Sequence, residues 1–159
     1  MDLKIFYAIL LTILPISELR GGLPLAIIYA NQHNIPIALV FPLIVLLNIL
    51  VIFFIFYFLE NTHHIFMKNE NYKKFFERII GRIQKKVDKF EIKYKSAGFF
   101  ALMIFVGIPL PGTGVWTGCL ISWLLDLDRK KSVLAISLGV LIAGIIILAG
   151  TLGVIKIFS

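Results

Sequence analysis

Two residues that could do chemistry lie in the most apolar part of the chain. Residues 17–24 read SELRGGLP, which places Glu18 and Arg20 two positions apart, ahead of two glycines and a proline. Apolar runs flank this motif on both sides, over residues 5–15 and 35–59. A charged side chain within a membrane is costly unless it is paired or faces a cavity, and such residues usually mark transport or relay sites.

The glycines and the proline predict that helical structure is interrupted within this motif. Gly21 and Gly22 tolerate backbone conformations that other residues avoid, and the residue before a proline disfavours a helix. In extended backbone Glu18 and Arg20 would point the same way, which positions i and i+2 of a helix do not. We expect a returning helix over residues 23–30, with the proline in its first turn. The two charges then either form a functional site or pair with each other to fix the turn.

The composition is that of an integral membrane protein. Hydrophobic residues fill 59% of the 159 positions and the mean hydropathy is +0.94, whereas a soluble domain has roughly 45–50% apolar residues. Residues 35–59 and 132–158 are apolar and long enough to cross a bilayer. A single cysteine, Cys119, excludes a disulfide within the chain. No metal site and no cofactor are expected.

The order of the apolar segments predicts a twofold internal repeat within one membrane domain. Residues 1–59 and 98–159 each hold an interrupted apolar segment followed by a continuous span, and a basic linker, residues 60–97, joins them. A shift of 96 positions places Pro15 on Pro111. The second interruption is the sequence PLPGTG, which favours a turn because of its glycines and prolines.

The distribution of positive charge predicts the topology. Of the sixteen lysines and arginines, ten lie within residues 60–97 and three within 129–131. Because positive residues favour the cytoplasmic side, residues 98–125 should enter the membrane, turn and leave on that same side. The repeat makes residues 3–30 a second re-entrant hairpin, entering from outside, with both termini external to the cell membrane. The predicted fold is all-α, with two inverted repeats of one re-entrant hairpin and one transmembrane helix.

Interrupted segments at matching positions of inverted repeats are typical of transporters with a substrate site near the membrane midplane. Thr113 is expected to cap a helix that begins near Val115, so that both returning helices present N-termini, which attract anions. Arg20 adds positive charge, and Glu18 either holds Arg20 or takes up a proton. A helix break with tight packing stays an alternative for the second motif. The predicted substrate site comprises Glu18, Arg20, Gly21, Gly22, Pro109, Pro111, Gly112, Thr113, Gly114, Trp116 and Thr117.

The linker and the spans carry further patterns. Apolar residues from Tyr72 to Tyr94 recur every three or four positions, which predicts an amphipathic helix. Its positive charge favours the cytoplasmic leaflet and anionic lipid, with packing on the second hairpin or a coiled coil as alternatives. Small residues spaced by four, such as Gly139 and Ala143, allow close contact of the last span within the monomer or across a homodimer. Asn48 is expected to hydrogen-bond another helix.

Three stretches resemble a known family: SELRGGLPLAI at 17–27, IPLPGTGVWTG at 108–118 and GVLIAGIIILAG at 139–150. The family is named "putative small multidrug export proteins" and resembles, more distantly, the DedA superfamily. The resemblance implies paired re-entrant hairpins. DedA-like proteins are associated with moving polyprenyl-phosphate lipids, coupled to protons through embedded carboxylates. By this likeness Glu18 is the acid and Arg20 is a phosphate ligand.

Two classes of function remain open at this point. The first is a transporter, moving either an anionic lipid of the polyprenyl-phosphate type with proton coupling, or cationic drugs by means of Glu18. The second is a non-transporting membrane scaffold. An enzyme is not expected, because the sequence shows no nucleophile–base pair, metal cluster or phosphate loop. Nucleic acid is not an expected partner, since the predicted topology already accounts for the positive charge.

Overall fold

The structure is a computed structural model that describes residues 3–14, 17–66 and 95–158. Within these ranges the chain forms α-helices and no strands, as the sequence predicts. The helices are α1 (Leu3–Ile13), α2 (Glu18–Gln32), α3 (Ile37–Phe66), α4 (Lys95–Gly107), α5 (Val115–Leu124) and α6 (Arg129–Phe158).

Two of these helices, α3 and α6, are long and apolar enough to cross a membrane. Each has 30 residues, which corresponds to about 45 Å of helix and exceeds a hydrocarbon core of about 30 Å. Large apolar side chains on both helices face outward, among them Leu46, Phe54 and Ile145. Such a surface suits lipid rather than water. Both segments predicted to span the membrane form apolar helices of sufficient length, and each helix extends beyond the predicted span towards the basic segments.

The core lies where α2, α3 and α6 meet. Its largest buried side chains include Leu23 and Ile27 of α2, Ile52 of α3 and Ile136 of α6. The shorter helices pack on this centre: α1 lies against α2, α4 lies against α6, and α5 contacts both α3 and α6. The segments on either side of the two interruptions are therefore held by the long helices.

The first interruption lies earlier than the sequence predicts. The motif residues from Glu18 onward are helical, so the helical break lies between Ile13 and Glu18. The predicted broken backbone at residues 18–22 is wrong, and the helix predicted over 23–30 is part of the longer α2. A Cβ on Gly22 would overlap Thr12 and the Ala8 carbonyl of α1. This glycine thus serves the close approach of two helices rather than a turn.

Local contacts and one unusual backbone angle define this break. Ser17 Oγ donates to the Leu11 carbonyl at 2.7 Å. Glu18 has a φ of 45°, a left-handed value that a residue with a side chain seldom adopts. Pro24 lies inside α2, where its missing N–H leaves the carbonyl of Arg20 without the usual helical partner. The motif is therefore strained at its first charged residue and short of one hydrogen bond at its second.

The second interruption is confirmed at the predicted place. Helix α4 ends at Gly107 and α5 begins at Val115, so the PLPGTG sequence forms the turn between them. The Thr113 amide donates to the Leu110 carbonyl at 3.1 Å, and Gly112 has a φ of 86°, which glycine adopts without steric cost. Turn chemistry in the local sequence was sufficient to predict this break.

Helix α2 continues to Gln32, two residues beyond the helix predicted over residues 23–30. The predicted amphipathic helix from Tyr72 to Tyr94 lies outside the described residues. The ends of α3 and α6 do meet: Arg129 Nη1 lies 2.6 Å from Glu60 Oε1, and its guanidinium lies 5.5 Å from the centre of the Phe56 ring. The end of α3 and the start of α6 therefore lie at the same end of the molecule.

Candidate functional site

The carboxylate of Glu18 binds the N-terminus of α5. Glu18 is only 6% exposed. Its Oε2 accepts the Val115 N–H and its Oε1 accepts the Trp116 N–H, both at 3.1 Å. The first N–H groups of a helix have no partner within the helix, and a negative charge there interacts favourably with the helix dipole. Glu18, at the beginning of α2, thus caps a helix that begins 97 residues later in the chain.

Gly114 makes room for this carboxylate. It precedes α5 with a φ of 133°, and it carries no side chain that could cap the helix. A Cβ at this position would overlap the carboxylate of Glu18. The prediction that Thr113 caps α5 is wrong, because the Thr113 hydroxyl donates back to carbonyls of its own turn, those of Ile108 and Leu110, each at 2.8 Å.

Arg20 binds the same turn from the other side. Its Nη2 donates to both the carbonyl oxygen and the hydroxyl of Thr113. A charged donor strengthens these hydrogen bonds relative to neutral ones. Glu18 and Arg20 therefore both bind residues of the second interruption, and the predicted alternative in which they pair only to fix their own turn is not the observed arrangement.

Trp116, in the first turn of α5, makes a contact from the second interruption to the first. Its Nε1 donates at 3.1 Å to the carbonyl of Ile13, the last residue of α1. The last carbonyls of a helix lack partners within the helix, so the indole caps α1 at the first interruption. Each interruption is consequently completed by side chains that belong to the other one.

A small cavity of about 10 Å³ lies beside this contact. Five helices supply its walls, which are formed by Glu18, Leu19, Arg20, Asn48, Val106, Gly114, Val115, Val140 and Ala143. Asn48 is 1% exposed, and its Nδ2 donates to the Thr12 carbonyl at 2.9 Å, which confirms the predicted hydrogen bond between helices. The cavity joins the charged pair to the centre of the bundle.

The structure brings together five of the predicted site residues: Glu18, Arg20, Thr113, Gly114 and Trp116.

The remaining predicted residues lie around this centre without such contacts. Gly22 faces α1, and a Cβ on Gly21 would meet Ser17 of its own turn. Pro111 and Gly112 are exposed at the tip of the turn. Pro109 and Thr117 are half-buried.

Sequence reasoning missed two members of the site. Val115 takes part through its backbone N–H, which any residue at the first helical position would offer, so its side chain carries no signal. Asn48 was predicted to bond another helix, but nothing in the sequence indicates that it lines a cavity with Glu18. The sequence likewise does not indicate the apolar cavity walls from α4 and α6, because these walls depend on how the helices pack.

The arrangement contains groups that can attract an anion. A helix N-terminus and a guanidinium lie within one side chain of each other, and both attract negative charge. In the described ranges no group of three or more His, Cys, Asp or Glu residues could hold a metal ion.

Apolar helices that could cross a membrane, packed around a buried charged site, define a helical membrane protein. A model of the family described as "Putative small multi-drug export protein" matches residues 18–146, from Glu18 into α6. The chain belongs to this family, as its motifs predict. No curated protein and no solved structure matches the chain.

Proposed function

We propose that this protein is a membrane transporter whose substrate site lies between the two interruptions and that it moves an anionic, phosphate-bearing lipid together with a proton. One observation carries the proposal: the carboxylate of Glu18 occupies the N-terminus of α5, where it accepts the N–H groups of Val115 and Trp116. Phosphate groups bind at such helix N-termini in the same way. The carboxylate and the substrate therefore compete for one position.

The proposed topology has two re-entrant hairpins of opposite orientation. The contact between Glu60 and Arg129 supports it, because it requires both basic flanks to lie at one end of the molecule. The arms are short as well: α4 has 13 residues and α5 has 10, or about 20 Å and 15 Å of helix, whereas the hydrocarbon core is about 30 Å thick. We assign the basic end to the cytoplasm by its charge and both termini to the outside.

The glycines also support the proposed repeat. Gly22 and Gly118 lie 96 positions apart, and each makes room for the other arm of its own segment. A Cβ on Gly22 would overlap α1, and a Cβ on Gly118 would press on Val106 of α4. Equivalent positions in the two halves thus have the same packing role.

In the proposed cycle, protonation of Glu18 opens the site. Ionised Glu18 is held by two N–H groups. Protonation removes the charge that the helix dipole attracts and weakens this hold. A phosphate group can then take the N-terminus of α5, and Arg20 can exchange Thr113 for a phosphate oxygen, which guanidinium binds in a bidentate manner. Loss of the proton restores the carboxylate, which displaces the substrate.

The net charge of the site favours an anion in either state. Arg20 contributes one positive charge and each of two helix N-termini contributes about half a unit, so the total is about +1 when Glu18 is ionised and about +2 when it is protonated. Anion binding should therefore strengthen as Glu18 takes up a proton. The lipid tail would stay among the outward-facing apolar side chains, with membrane lipid as the source of the substrate.

A second candidate is the export of lipophilic cations, which the family description favours. In that case ionised Glu18 would bind the cation and protonation would release it. The two candidates therefore predict opposite responses to pH.

Binding of a short-chain polyprenyl phosphate to the protein in lipid nanodiscs, followed across pH by native mass spectrometry, tests the proposal. We expect wild-type binding to tighten as pH falls and Glu18→Gln to bind tightly at every pH. Asp126→Asn is a matched control, because it removes a carboxylate outside the site. Weaker anion binding at low pH, or a preference for a lipophilic cation, would contradict the proposal and favour drug export.

A further inference from the structure

Asn48 carries an unused hydrogen-bond acceptor in the cavity beside Glu18. Its Nδ2 donates to the Thr12 carbonyl, and this contact fixes the amide orientation, since the reverse orientation would place two acceptors against each other. Its Oδ1 is buried and has no partner among the described residues. A buried acceptor without a partner is unfavourable, and a bound water commonly satisfies it.

The cavity has the size and the polarity that such a water requires. Its volume of about 10 Å³ is close to that of one water-sized sphere, and a buried water needs about two to four polar partners. Asn48 and Glu18 both line the cavity. The carboxylate oxygens of Glu18 each accept one N–H, which leaves further lone pairs for a water.

The groups around Glu18 suit its ionised form and leave its protonated form short of an acceptor. Val115 and Trp116 offer N–H donors from α5. Arg20 and the Cys119 thiol are the titratable groups that interact with the carboxylate, from α2 and α5. A protonated carboxyl has an O–H that needs an acceptor. Of the two buried side-chain atoms without a partner in the described ranges, Asn48 Oδ1 is the one that lines the cavity with Glu18.

We propose that the cavity binds one water molecule, which bridges Asn48 Oδ1 and the carboxyl group of Glu18. When Glu18 is ionised, the water donates one hydrogen to Asn48 Oδ1 and the other to a carboxylate oxygen of Glu18. When a proton from the aqueous phase binds the carboxylate, the new O–H donates to the water, which still donates to Asn48. Asn48 is thus a positioning residue for the proton. This inference rests on the proton uptake in the proposed function.

Infrared difference spectroscopy during a pH titration in nanodiscs tests the water bridge without any transport measurement. Glu18→Gln identifies the C=O band of protonated Glu18 by removing it. In Asn48→Leu, whose side chain has the same branched shape but no acceptor, the water should be lost and the midpoint of that band should rise by about half a pH unit to one unit, because the ionised carboxylate loses a charge-assisted hydrogen bond and the protonated form loses only a weaker neutral one. The bound water should also give an infrared band that shifts in H₂¹⁸O, and this water band should be absent in Asn48→Leu.

Two further variants separate the water from other effects. Ala143→Val fills the cavity from α6 while Asn48 keeps its bond to Thr12, and it should reproduce both changes. Ser122→Ala is the matched control, because Ser122 Oγ is also buried without a partner in the part of the chain that the structure describes, but it does not line the cavity; it should change neither.

An unchanged band in Asn48→Leu and Ala143→Val would overturn the inference. So would a shift in Asn48→Leu without one in Ala143→Val, since the effect would then not need the water. A normal Glu18 titration in a protein that fails to bind or move the anion would contradict the proposed function alone. The absence of any protonated Glu18 band in the wild type would overturn both.

Discussion

At the scale of single residues, the site depends on a glycine as much as on its charges. Gly114 has a φ that other residues reach only with strain, and its missing side chain is where the Glu18 carboxylate lies. A carboxylate from a distant helix can cap α5 only if the preceding residue adopts this φ and has no side chain in the way. The structural importance of Gly114 therefore lies in the space that its missing side chain leaves for Glu18.

Gly114→Ala should destabilise the protein for two reasons. The backbone conformation costs about 1–3 kcal/mol for a non-glycine residue, and overlap with Glu18 adds about 1–3 kcal/mol. Gly112→Ala is the matched control, because Gly112 also has a positive φ but has open space around it. Thermal unfolding in detergent measures the difference. The cost of Gly114→Ala should fall when Glu18 is also replaced by alanine, and equal costs in both backgrounds would show that the carboxylate is not the obstacle.

Arg20→Ala should abolish transport while the protein still folds, because the charge that we propose binds the substrate phosphate is lost but the buried core is unchanged. Uptake of a short-chain polyprenyl phosphate into proteoliposomes measures the first effect, and circular dichroism measures the second. Lys156→Ala removes a cation far from the site and should leave uptake unchanged. Full activity in Arg20→Ala would contradict the site assignment.

At the scale of helices and turns, local chemistry predicted one interruption and tertiary packing decided the other. The PLPGTG break could be predicted because its glycines and prolines determine backbone geometry by themselves. At the first break, the same residue types were misleading, since Gly22 is used for close packing against α1 and Pro24 is tolerated inside α2. Only the position of α1 distinguishes the two uses, and a single sequence does not contain it.

The close approach of α1 and α2 at Gly22 can be tested directly. Gly22→Val should lower the free energy of unfolding by about 1–3 kcal/mol, because the side chain overlaps Thr12 and the Ala8 carbonyl. Gly150→Val places the same side chain on α6 where there is open space, and it should have little effect. Similar unfolding curves for the two variants would contradict this packing.

At the scale of the whole molecule, the contact between α3 and α6 relates the two basic segments. Glu60 and Arg129 bind each other at one end of the bundle, so the end of α3 and the start of α6 lie together. Charge counting predicted the same relation from the sequence alone, although the linker itself lies outside the described residues. The prediction of sidedness needs only the number and position of lysines and arginines.

Cysteine labelling from outside intact cells, in a Cys119→Ala background, tests this topology. A cysteine placed at Ser159 should react with an impermeant reagent, whereas cysteines at Asn71 and Asp128 should react only after the membrane is made permeable. The permeabilised sample is the control for reactivity. Strong external labelling at Asp128 would mean that residues 98–125 cross the membrane and would exclude the re-entrant arrangement.

The reciprocal capping of the two interruptions also has a consequence for biosynthesis. Glu18 leaves the ribosome 97 residues before Val115, its partner, and at about 5–20 residues per second the second residue follows about 5–20 s later. During that interval the buried carboxylate has no helix to cap, and α1 lacks the indole that closes its end. The first half of this chain therefore lacks both capping contacts until the second half is synthesised, and its final insertion is completed only then.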